Sequence, residues 1–133
     1  MLTIGREQLT AMLRHEPTLV AAIRRCVHAD YAFIVEGLPD DLLDAMIGHG
    51  LRAARSFGLS QPGDLAGFVF VMFEVGPEFY RHPRIRAVLQ DPGVPPERKL
   101  TAAFERTDEQ VWDEVVSVLH RQTWFPELRE TDY

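Results

Sequence analysis

The chain has 133 residues, 46% hydrophobic and 26% charged, a composition that excludes disorder as its dominant state and fits one domain able to bury a core without staples. Its 14 basic and 20 acidic residues leave a net charge of −6, which argues against attraction to a phosphate backbone and so against nucleic-acid partners. The lone Cys26 excludes an intramolecular disulfide or a cysteine metal cluster within one chain and suits a reducing cytoplasm.

The N-terminal stretch has no basic region followed by an apolar one, so no secretory signal is expected. Thr3 or Gly5 can open a first short helix carrying Leu9, Met12 and Leu13 on one side. Pro17 suits the first turn of a second helix, where its missing N–H is not needed. Leu19, Val20, Ile23, Cys26 and Val27 recur there at helical spacing, so Cys26 is expected as a small buried hydrophobe. Tyr31–Leu38 holds a short run of strand formers, but no second strand of matching quality exists in the chain. A lone strand leaves its backbone groups unpaired, so this stretch reads as helix continuation or an ordered connector.

Pro39 opens the next helix. Asp40, Asp41 and Asp44 lie near its positive dipole end, and Leu43, Met46, Ile47, Leu51, Ala54 and Phe57 form its apolar face. Gly58 followed by Leu59 predicts a left-handed glycine stop. Gly48 and Gly50, costly inside a helix, suggest close approach of a neighbour. Ser60 then caps a helix with Pro62 in its first turn. Its segment Leu65–Val75 is apolar on nearly every side, which predicts the central, buried helix of the fold. The longest apolar run within it, Leu65–Phe73, is too short for the roughly 20 residues a membrane-spanning helix needs. Gly76–Pro77 stops this helix.

Pro83 starts a short helix with Ile85, Val88 and Leu89, and Asp91–Pro96 is turn-rich. Pro96 can open another helix, with Leu100, Ala103 and Phe104. Thr107 and Gln110 match a capping box ahead of Val111, Trp112, Val115 and Val116. Whether 96–122 forms one helix or two stays open. Phe125–Pro126 closes the single helical domain expected over 1–126, and 127–133 reads as a flexible tail. The predicted architecture is all-α, five to seven short helices around a central apolar helix at about 61–75.

No residue pattern carries an evident chemistry. His15, His28, His49, His82 and His120 lie at no metal-ligand spacing, and no nucleophile elbow or phosphate loop occurs. No catalytic, metal or cofactor residues are therefore assigned. Glu105, Asp108, Glu109, Asp113 and Glu114 make an acidic stripe, read first as a solvated face and otherwise as a dock for a basic partner. Aromatics near chain breaks are candidates for partner binding, namely Phe79, Tyr80, Trp124 and Phe125. His49 and Glu74 are the pair that a core pocket would use in a ligand-binding domain or small enzyme.

The stretch LLDAMIGHGLRAARSFGLSQPGDLAGFVFVMFEVGPEF, followed by HPRIRAVLQDPGVPPERKL, resembles a family of small bacterial proteins encoded in type VI secretion gene clusters. Gly50, Arg52, Ala53, Phe57, Gly58 and Leu59 occupy that family's I-x-x-G-I-x-R-A-x-x-Y-G-L stretch. Asp64, Phe68, Val69, Met72, Phe73, Gly76, Pro77 and Phe79 occupy D-V-x-x-F-V-x-L-M-F-x-L-G-P-x-F-D, and Pro83, Leu89, Asp91 and Pro92 occupy P-W-x-x-x-I-L-x-D-P. Phe57 replaces the usual tyrosine, Tyr80 the usual acidic residue and Arg84 the usual tryptophan. The resemblance implies a non-enzymatic accessory role in the cytoplasm. The protein would act as a co-chaperone or co-adaptor in effector loading, its partner a secretion adaptor, a PAAR protein or an effector. An immunity protein against a neighbouring toxin is the alternative. No membrane partner and no cofactor are expected.

Overall fold

Every regular element in residues 14–117, the part of the chain described by the computed structural model, is helical. In chain order these are α1 (Glu16–Asp30), α2 (Ala32–Val35), α3 (Asp40–Ser56), α4 (Pro62–Val75), a 3-10 turn at Phe79–Arg81, α5 (Pro83–Leu89), a second 3-10 turn at Pro96–Arg98, α6 (Lys99–Glu105) and α7 (Glu109–Ser117). The all-α bundle predicted from the pattern is the observed fold. The N-terminal helix, His120, Trp124, Phe125 and the tail fall outside the described residues.

The helix starts follow local chemistry. Pro17 and Pro62 sit in the first turns of α1 and α4, and Pro39 is the residue that caps α3. Tyr31 ends α1 by giving its N–H to the Val27 carbonyl at 2.8 Å, and the chain restarts at once as the one-turn α2. Cap details differ from expectation at two places. Gln61 rather than Ser60 is the cap of α4, and it makes no side-chain cap bond. Asp108 rather than Thr107 caps α7, its Oδ1 accepting the Val111 N–H at 3.1 Å. Thr107 is occupied twice over: its hydroxyl donates to the Ala103 carbonyl and accepts the Trp112 indole N–H at 2.9 Å. That closure breaks the chain between α6 and α7, so the described residues from Lys99 to Ser117 form two helices.

α3 ends as predicted. Gly58 has φ 91°. Its N–H reaches the Arg55 carbonyl at 2.9 Å, and the Leu59 N–H reaches back to Ala54 at 3.3 Å. This is the paired closure of a Schellman stop, with Leu59 buried behind it.

α4 is the hub. It packs against α1, α3, α6, α7 and the first 3-10 turn. Leu65, Phe68, Val69 and Met72 lie on one face by their helical spacing and are buried, and Val71 and Phe73 are buried on other sides. Complete burial of side chains of this size is worth about 1.5–3 kcal/mol each. α3 answers with Leu43, Met46, Ile47, Gly50, Leu51 and Ala54, and α1 with Leu19, Ile23 and Val27. The α3–α4 approach is tight at Gly50. A methyl there would stand 2.9 Å from both the Met72 Sδ and a Val69 methyl. Gly48, one helix position off that line, faces only the Arg52 side chain at 3.5 Å.

The burial of α4 is incomplete, contrary to its nearly all-round apolarity. Glu74 is exposed, and Ala66 and Phe70 are only half-buried. Ala66 and Phe70, together with Pro62, Gly63 and Leu19, Ala22, Ile23 and Cys26 of α1, line a shallow apolar groove of about 160 Å³. Cys26 therefore lies exposed at the rim of that groove rather than inside the core. Its register places it one position off the Ile23–Val27 contact line.

Candidate functional site

An open cleft of about 510 Å³ lies where α3, the first 3-10 turn and α5 meet, within the range of small-ligand sites. Each wall has a local cause. On α3, His49 and Ser56 are about two turns apart and share a face, and Phe57 follows at the helix end. On α5, Arg86 and its C-cap residue Gln90 are one turn apart and also share a face. Between them lies the chain reversal after α4. Gly76 (φ 144°) gives its N–H to Met72 at 3.1 Å and releases the chain from the helix. Pro77 then forbids helical geometry at Gly76 and commits the chain to the turn that carries Glu78, Tyr80 and Arg81.

Glu78 is 5% exposed, the one buried charged side chain among the described residues. Burying a carboxylate is costly unless it is paired, and the Arg81 guanidinium donates to its Oε1 at 3.1 Å. Tyr80, half-buried beside this pair, has its phenol pushed above the ordinary range. Burial is the main cause and the neighbouring Glu78 charge the second, with Arg81 acting the other way. The Ser56 hydroxyl donates to the Ala53 carbonyl at 2.5 Å, which leaves its lone pairs as the group it can offer.

Beneath the cleft the aromatic residues form one cluster. Phe68 of α4 has ring neighbours at centroid distances of 5.0 Å (Phe79), 5.6 Å (Tyr80) and 6.1 Å (Phe57), and Phe57 meets Tyr80 edge-on at 5.7 Å. Phe79 continues to Trp112 of α7 at 6.0 Å, and Trp112 stacks flat on Phe104 at 4.7 Å.

The sequence-predicted residues are divided by this arrangement. Phe79 is fully buried and serves the core, so it presents no surface to a partner. Tyr80 lines the cleft. Trp124 and Phe125 lie outside the described residues. Of the proposed core-pocket pair, His49 reaches the cleft, whereas Glu74 sits on the surface near Tyr31, whose hydroxyl donates to it at 3.5 Å. The fold therefore does not bring His49 and Glu74 to one pocket. It supplies Glu78 and Gln90, which sequence reading did not single out, with Arg81 and Arg86, which the sequence offers, together with Arg84, as a basic cluster read as a solvated helix face. The adjacency of Glu78 to the Gly76–Pro77 break was the only local signal, and the partners arrive by tertiary packing.

His82 behaves as a cap. Its Nδ1 accepts the Arg84 N–H at 3.2 Å and its Nε2 meets the Glu114 carboxylate at 2.7 Å, a pair satisfied by the imidazole carrying its hydrogen on Nε2. The acidic stripe is a solvated face in which Glu105 pairs with Arg98 at 3.3 Å and Asp108 caps α7.

Large apolar side chains are exposed elsewhere. Phe33 is 81% exposed on α2 and Ile34 beside it 42%, with Leu42 in the first turn of α3 at 39%. Among the described residues no helix is long and apolar enough to cross a membrane. No protein-family model, curated protein or solved structure matches the chain.

Proposed function

We propose that this protein is a non-enzymatic accessory factor that binds another protein, and that its role is that of a co-chaperone or co-adaptor in type VI effector loading. The observation that carries the binding role is the exposure of Phe33, Ile34 and Leu42 around the α2–α3 junction. A large aromatic held four-fifths out of the fold on a one-turn helix does nothing for the core, and exposed aromatics and aliphatics are the usual anchors of a protein interface. The secretion context is supported by the three-part sequence resemblance. Its residues do architectural work here: Gly50 sets the α3–α4 approach, Gly58 stops α3, Gly76–Pro77 reverses the chain, and Phe57 and Phe79 join the aromatic cluster.

The test is affinity capture from a native extract with the full chain as bait, beside a Phe33→Ser/Ile34→Ser variant. Recovery of a secretion adaptor, a PAAR protein or an effector by the wild type, and its loss with the variant, supports the reading. Recovery of none of them overturns the secretion role. Growth rescue on co-expression with a neighbouring toxin would replace it with immunity.

A further inference from the structure

We propose that the cleft between α3 and α5 is a binding site for a carboxylate group, with Arg86 as its principal anchor and Arg81 as its second. This goes beyond the accessory role and does not depend on it. The chain is acidic overall, yet this cleft is lined by two guanidinium groups and one carboxylate. That carboxylate is internally committed: Glu78 is buried and already receives an Arg81 N–H. Arg81 has used one of its five N–H groups there. Buried Glu78 acts on it as a fixed post, holding the guanidinium in place.

Arg86 forms no ion pair with any described residue. Elsewhere Arg24, Arg55, Arg98 and Arg106 hold carboxylates, whereas Arg25, Arg52 and Arg84, like Arg86, form no ion pair with a described residue. An arginine on a cavity wall with no described carboxylate paired to it leaves its planar fork of donors for a planar oxyanion from outside. The rest of the wall agrees in hydrogen-bond sense. The Tyr80 hydroxyl and the Gln90 amide both have hydrogens to give, and Phe57 supplies an apolar edge for the carbon chain behind the carboxylate. At about 510 Å³ the space exceeds a bare anion and suits a carboxylate carried on a short chain. That chain is either a small dicarboxylic acid or the free C-terminus of a polypeptide.

The test is a nuclear magnetic resonance titration of the ¹⁵N-labelled full chain with glutarate, with acetyl-trialanine bearing a free C-terminus, and with its amidated form, all at matched ionic strength in sodium chloride. The expected result is a saturable shift of the Ser56, Phe57, Tyr80, Arg81 and Gln90 amides with at least one free-acid probe and none with the amide. Arg86→Gln is expected to weaken that binding at least tenfold and Arg81→Gln severalfold, while Arg84→Gln, on the other side of α5, leaves it unchanged. Tighter binding of the tripeptide acid assigns the site to polypeptide C-termini, and tighter binding of glutarate to small acids; both uphold it. Linear, unsaturated shifts, equal response to the amide, or unchanged affinity in a folded Arg86→Gln variant would overturn it.

Discussion

The two interior glycines of α3 allow a substitution experiment in which helix propensity cancels. Replacing glycine by alanine in a helix interior gains about 1 kcal/mol in propensity wherever the methyl finds room. At Gly48 the new methyl meets only the end of the Arg52 side chain, at 3.5 Å, an ordinary contact with a flexible group. Gly48→Ala is therefore expected to stabilise by about 0.5–1 kcal/mol. At Gly50 the same methyl would stand 2.9 Å from the Met72 Sδ and 2.9 Å from a Val69 methyl. Met72 can swing, but Val69 is β-branched and fully buried, so the helices must part or a rotamer must strain. Overpacking of this kind costs about 1–3 kcal/mol. The propensity gain is common to both variants, so their difference isolates the clash at about 1–3 kcal/mol, with Gly50→Ala the less stable. Urea unfolding followed by circular dichroism reads this directly, and at this chain length each kcal/mol also moves the melting temperature by about 3–5 °C. If the two variants agree within about 0.3 kcal/mol, or Gly50→Ala is the more stable, the close α3–α4 approach is wrong.

Three further outcomes follow from single features. Gly58→Ala forces a side chain into φ 91° with no atom nearer than 3.9 Å; the loss is therefore purely backbone, about 1–2 kcal/mol, and a Gly58→Asn variant, which tolerates that conformation better, should recover part of it in the same melt. The Glu16 carboxyl is held below its ordinary range, chiefly by its hydrogen bond to Arg55 (2.6 Å). A depressed folded value means that the pair stabilises above the unfolded value of 4.5 and loses that contribution as pH falls through the folded value. Both side chains are more than a third exposed, so solvent screening limits the effect to under about 1 kcal/mol; the wild-type advantage over Glu16→Gln should be present at neutral pH and vanish in acid. Cys26, exposed at the α1–α4 groove, should react with a thiol reagent stoichiometrically without denaturant, whereas a protected thiol would contradict the α1 register.

How legible the fold was depended on how local its causes were. The α3 stop was readable at Gly58–Leu59, and so was the end of α4 at Gly76–Pro77, because a positive φ and a missing N–H act within a few residues. The hub role of Leu65–Val75 was readable from its apolarity, and the exclusion of a strand at Tyr31–Leu38 from the lack of any partner strand, although the split into the helical turn Ala32–Val35 and a connector was not. Caps were less legible. Ser60 and Thr107 had the right chemistry, but α4 is capped one residue later, at Gln61, with no side-chain cap bond, and at α7 Asp108 reached the free N–H while the Thr107 hydroxyl bonded Ala103 and Trp112. Cys26 and Glu74 were misjudged in burial, since periodicity identifies a stripe but leaves its edges undefined by a residue on either side.

The cleft was the least legible part. Its residues come from positions 49–57, 78–81 and 86–90, and each segment alone reads as an ordinary helix face or turn. Sequence by itself determined that the described residues are helical, where α3 and α4 stop and which helix is the hub, because those outcomes follow from backbone torsions and apolar spacing. Only the tertiary structure decided that Glu78 is buried against Arg81, that Phe79 belongs to the core while Tyr80 lines the cleft, and that Arg86 and His49 line the same cleft. Those facts depend on the angle at which the chain leaves Gly76, and that angle is set by how α5 packs back against the rest of the fold.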